Sequence, residues 1–76
     1  MTDRTRRHVT PHPEGWQVKV EGAERASVVT KTKDEAVREG IEFSKNDPNS
    51  QLIIHKENGT IQEERTYGND PHPPKG

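Results

Sequence analysis

The chain has 76 residues, of which 24% are hydrophobic and 33% charged, with a net charge of −1 and no cysteine. That length holds one small domain with a thin core, because a chain this short buries only about 60% of the surface its unfolded form exposes. The composition excludes a membrane helix, which needs about 20 consecutive apolar residues, and with no cysteine it excludes disulfides and thiolate chemistry.

A small domain without staples suits a reducing compartment, so a cytoplasmic location is expected. The basic stretch from Met1 to His8 leads into no apolar run, so it does not read as a secretory signal. The charge is unevenly spread: residues 1–33 carry +3 and residues 34–76 carry −4.

Residues 1–7 read as a basic, flexible arm. A first strand is expected over Arg7–His12, with Pro13-Glu14-Gly15 as its turn. Pro11 lacks an N–H, which predicts a short strand or one at a sheet edge. Trp16, Val18 and Val20 then alternate with Gln17, Lys19 and Glu21, the period of a half-buried strand. A third strand is expected over Arg25–Lys31, with Val28 inward and Val29 outward.

Thr32-Lys33-Asp34-Glu35 fits a capping box, and two acidic residues suit the positive first turn of a helix. Ala36, Val37, Gly40, Ile41 and Phe43 follow near one side at helical spacing, and Pro48 stops the helix. Gly40 weakens a helix interior by about 1 kcal/mol relative to alanine; close approach of helix and sheet is a reason to keep it.

Asn58-Gly59 predicts a two-residue type I′ turn between Gln51–Glu57 and Thr60–Thr66. In that register Lys56 faces Ile61, Ile54 faces Glu63 and Leu52 faces Arg65. Leu52, Ile54 and Ile61 then share the core face, and Ile53 points outward with His55. Residues 68–76, with three prolines, read as an extended tail, with Tyr67 packing on the domain.

The expected fold is therefore α+β, ordered β-β-β-α-β-β, with antiparallel strands packed on one amphipathic helix and a single domain over residues 8–67. Its core comprises Val9, Trp16, Val18, Val20, Val28, Val37, Ile41, Phe43, Leu52, Ile54 and Ile61.

No catalytic, cofactor or metal site is expected. His8 and His12 lie about 13 Å apart on one strand, too far to chelate one ion, and His55 and His72 have no partner at a ligand spacing. Ser27, Ser44 and Ser50 stand in no nucleophile context. Glu63 and Glu64 point to opposite faces of a strand, and no glycine-rich phosphate loop occurs.

What remains is a small non-enzymatic binding or accessory protein with an unknown protein partner. The alternative is nucleic-acid binding through Arg4, Arg6, Arg7, Lys19, Arg25 and Lys31, since a basic arm grips phosphates and a sheet face reads a groove. Against it, Glu21, Glu24 and an acidic helix interrupt that patch. A homodimer formed through Ile53, Val29 or an open sheet edge would complete the thin core.

Several segments together resemble domain-of-unknown-function family 2188. They are His8-Val9-Thr10-Pro11, Gly15-Trp16-Gln17-Val18-Lys19, Arg25-Ala26-Ser27, Thr32-Lys33-Asp34-Glu35-Ala36, Ile53-Ile54-His55-Lys56 with Asn58-Gly59, and the tail from Tyr67. The resemblance implies a short bacterial cytoplasmic protein and brings no assigned site residues. A partial resemblance, from Gly15 to about Lys45, is to the arm-binding domain of tyrosine recombinases. It implies a three-stranded sheet entering a DNA groove with the helix behind it.

Overall fold

The computed structural model describes residues 5–47 and 49–68. Its elements are β1 (Thr5–His12), β2 (Gly15–Val20), β3 (Val28–Thr30), α1 (Lys33–Lys45), β4 (Asn49–His55) and β5 (Ile61–Gly68). They form one five-stranded sheet in the order β3-β2-β1-β4-β5, with the helix packed on one face. The β-β-β-α-β-β order is as expected. Pairing is antiparallel within β1-β2-β3 and within β4-β5, while the seam between these units, β1 on β4, is parallel and makes the sheet mixed.

β1 begins at Thr5, two residues before the expected start, so Arg6, expected in a flexible arm, is a strand residue. It is also the central strand, not an edge. Glu21 N–H donates to the Arg6 carbonyl, so in this antiparallel ladder the bonded pairs with β2 fall at Arg6, His8, Thr10 and His12. Pro11 turns its missing donor the other way, toward β4, and pairing with β4 has already ended at Val9. The proline therefore breaks no ladder bond. β3 is shorter than expected, three residues only, although Ser27 N–H still reaches the Val18 carbonyl at 2.7 Å.

The helix starts as its capping box predicts: Thr32 is extended and its hydroxyl accepts from Glu35 N–H at 3.2 Å. It lays Ala36, Gly40 and Ser44 against the sheet. Val9, Val18, Ala36, Leu52 and Ile54 form the buried core, with Trp16, Val28, Val37, Ile41, Phe43 and Tyr67 packed around it. Val20, expected in the core, is half-buried and outside this cluster. Gly40 is where the layers meet most closely, since a Cβ there would lie 2.8 Å from Leu52 Cδ1.

The β4-β5 hairpin corrects the sequence reading. Gly59 N–H bonds to the Lys56 carbonyl and Lys56 N–H to the Thr60 carbonyl, so the loop is Glu57-Asn58-Gly59 with Gly59 at φ +95°. This is the three-residue connection that ends in a positive-φ residue, not the two-residue one. His55 consequently faces Ile61, and a bulge that leaves Gln62 unpaired restores Ile54 opposite Glu63 and Leu52 opposite Arg65, as predicted. The shift carries Ile61 to the outer face, where it is 53% exposed, so it is not a core residue. Ile53 is on the outer face as expected, but only 5% exposed.

Candidate functional site

With the helix on one face, alternation gives the other face a defined set of side chains. β1 contributes Arg6, His8, Thr10 and His12; β2 contributes Gln17 and Lys19; β3 contributes Val29; β4 contributes Gln51, Ile53 and His55. Val29 and Ile61 are the large hydrophobic side chains exposed among the described residues.

Of the six basic residues singled out from the sequence, this face gathers Arg6 and Lys19. Arg4 lies outside the described residues. Arg7 points the other way, toward the helix side, with its guanidinium 3.3 Å from Asp47 Oδ2 and its carbon centre 5.8 Å from the centre of the Phe43 ring. Its side chain is 13% exposed and serves packing. Arg25 is exposed in the β2–β3 connection, and Lys31 lines a groove of about 510 Å³ between β3 and the helix with Val29, Glu35 and Arg38.

A hydrogen-bonded chain crosses the open face. Glu21 Oε1 lies 2.9 Å from His8 Nε2, His8 Nδ1 lies 2.9 Å from His55 Nε2, and His55 Nδ1 lies 2.9 Å from the Gly59 carbonyl. The hydrogen bond from His8 holds the Glu21 carboxyl below its ordinary value; burial opposes this, and Arg6, 4.0 Å away, adds to the lowering. Gln17 donates to the Thr10 hydroxyl beside this chain at 3.0 Å. Sequence reasoning missed the arrangement, because His8 and His55 meet only through the parallel seam, in which His8 pairs with Ile53. The available signal was that both rings fall on outward positions of their strands.

His12 is separate from that chain; its Nδ1 accepts from Glu14 N–H at 3.0 Å. Among the described residues no group of three His, Cys, Asp or Glu converges as a metal site, and no helix is long and apolar enough to cross a membrane.

A second groove, of about 530 Å³, runs on the helix side between α1 and β5. Ile54, Val37 and Ile41 contribute apolar surface, and Lys33, Glu63 and Arg65 contribute charge. Arg65 Nε is 2.6 Å from Glu63 Oε2, which raises the guanidinium above its ordinary value. The two charges largely satisfy each other there.

A profile of the family described as "Uncharacterized protein conserved in bacteria (DUF2188)" matches residues 7–67. Over 55 residues the chain is 38% identical to the uncharacterized protein YdaT of Bacillus subtilis (strain 168), a stretch that is 72% of this chain and 36% of that protein. The chain thus spans about a third of that relative's length. No solved structure matches. The family match runs from Arg7 in β1 to Tyr67 in β5 and takes in every element of the sheet and the helix; the chain belongs to DUF2188, a family of uncharacterized bacterial proteins.

Proposed function

We propose that the protein is a non-enzymatic binding module that engages a protein partner through the open face of its sheet. One observation carries this reading: among the described residues the helix covers one face only, and the other presents interleaved charges of both signs with two exposed aliphatic side chains. Arg6 and Lys19 stand there with Glu21, and Val29 and Ile61 flank them. Mixed polarity of this kind suits a protein surface, whereas a phosphate backbone calls for a stripe of one sign. The nucleic-acid alternative, including the likeness to an arm-binding domain, is supported less, because Arg7 turns inward and Arg25 and Lys31 lie off the face.

Site-specific photo-crosslinking tests the proposal. A crosslinker at Thr10, on the open face, is expected to capture a discrete protein from native cell extract, and one at Glu39, on the exposed side of the helix, is expected not to. Equal capture at both positions would refute the assignment of the face. Tight binding of DNA or RNA that weakens steeply with salt, and that disappears in Arg6→Ala/Lys19→Ala, would replace the protein partner with a nucleic acid.

A further inference from the structure

The chain from Glu21 to Gly59 has a proton count that its geometry fixes. A carboxylate and a backbone carbonyl only accept hydrogen bonds. His8 Nε2, facing Glu21, and His55 Nδ1, facing the Gly59 carbonyl, must therefore both carry hydrogen. The remaining bond, between His8 Nδ1 and His55 Nε2 at 2.9 Å, needs a proton of its own. Four ring nitrogens thus hold three protons, one more than two neutral imidazoles supply. Without it, two lone pairs would face each other at hydrogen-bonding distance.

The ring centres are 5.1 Å apart and the planes are inclined by 37°. That spacing is close to the largest possible for rings whose facing nitrogens are 2.9 Å apart, so those nitrogens lie almost on the line between the centres. This is the arrangement of a straight N–H···N bond. Two ligands of one metal ion would instead converge on a point to the side of that line.

We propose that His8 and His55 form a one-proton site, an imidazole–imidazolium pair that clasps the parallel seam of the sheet and whose charge is balanced by Glu21. The clasp ties together the end of β2, the strands β1 and β4, and the β4–β5 loop, all on the open face. When the proton leaves to solvent, two ring protons remain for three hydrogen bonds, so one junction of the chain is left with opposed lone pairs and the clasp loosens. Among the described residues, the charged groups at neighbouring outward positions are Arg6 on β1, Lys19 and Glu21 at β2, and Glu64 on β5; the helix lies on the far face. The inference stands whatever the face binds.

Nitrogen–proton correlation NMR of the imidazole rings, followed on the full chain from about pH 5 to 8 where histidines change charge, tests it. His8 and His55 are expected to release one proton between them in a shared step. Substituting His55→Gln or Glu21→Gln is expected to displace the His8 curve. Release of two protons by the pair, or a His8 curve that neither substitution moves, would overturn the proposal. So would saturable binding of Zn²⁺ that is lost in both His8→Gln and His55→Gln, because a metal ion would then occupy the place of the proton. If a variant fails to fold, the proton count of the unsubstituted chain decides by itself.

Discussion

Gly15 opens β2 with φ +143°, and a Cβ built on it would fall 2.1 Å from the Thr30 carbonyl oxygen and 2.9 Å from Lys31 Cα. Alanine there meets two separate penalties. The backbone conformation is one that residues with a side chain rarely adopt, at about 1–3 kcal/mol. The methyl also collides with main chain, which cannot rotate away as a side-chain tip can, and forced overpacking adds about 1–3 kcal/mol. Thr30 pairs with Trp16, the first of only three pairs that hold β3, so the edge of the sheet would be pushed off at its start. The expected loss is about 2–6 kcal/mol, against about 4–11 kcal/mol for a domain of this size at about 0.05–0.15 kcal/mol per residue. Gly59→Ala isolates the first penalty, since Gly59 has φ +95° and nothing within 4 Å of its virtual Cβ. Urea unfolding followed by Trp16 fluorescence and circular dichroism should place Gly15→Ala below Gly59→Ala by the collision alone, about 1–3 kcal/mol. Equal losses in the two variants would refute the steric argument, and an unchanged midpoint in Gly59→Ala would refute the conformational one.

Gly40→Ala should destabilise in spite of a gain of about 1 kcal/mol in helix propensity. The new methyl meets Leu52 Cδ1 at 2.8 Å and Val9 Cγ2 at 3.4 Å, both on fully buried side chains, and Leu52→Val, which removes the obstructing atom, should make the double variant lose at least about 0.5 kcal/mol less than the sum of the singles; strict additivity in urea melts would contradict the contact. For Asp47, the Asn49 N–H holds the carboxyl below its ordinary value, with burial opposing and Thr5 and Arg7 assisting. A depressed folded value means stability that is complete above the unfolded value of about 3.9 and lost as pH falls through the folded one. The stability gap between the protein and Asp47→Asn should therefore narrow on going from pH 7 to pH 3, and a gap independent of pH would contradict this assignment.

What could be read from the sequence was what depends on neighbours along the chain. Thr32 and Glu35 specify the helix start by themselves, and the alternation Trp16–Val18–Val20 marks a strand wherever it ends up in the sheet. What could not be read depends on a partner far along the chain. Pro11 suggested an edge because a missing donor is harmful only where a neighbour needs it, and which side of β1 has that neighbour follows from the β4 register. Ile61 reads as a core residue from the sequence because Asn-Gly most often makes a two-residue turn; adding Glu57 to the loop moves one side chain across the sheet before the bulge at Gln62 restores the pattern. His8 and His55 illustrate the same limit at the site: each looks like an isolated surface histidine until the parallel seam brings them together.

The parallel seam also sets the order in which the sheet becomes complete during synthesis. Of the five strands in this sheet the central one is made before the other four, and its partner on one side, β4, leaves the ribosome only after β2, β3 and the helix. The antiparallel unit β1-β2-β3 has local partners and can form early, with the β1 edge from Thr5 to Val9 still open. Pairing of Thr5–Val9 with Ser50–Ile54 is the step that closes that edge and covers Val9 with Leu52 and Ile54. Long-range parallel pairing is intrinsically slow because loop closure precedes its reward. An unpaired central edge is therefore presented for the whole time that the helix and the last hairpin are being made, and Arg6 and His8, polar residues on that edge, are placed where they hinder its pairing with another chain.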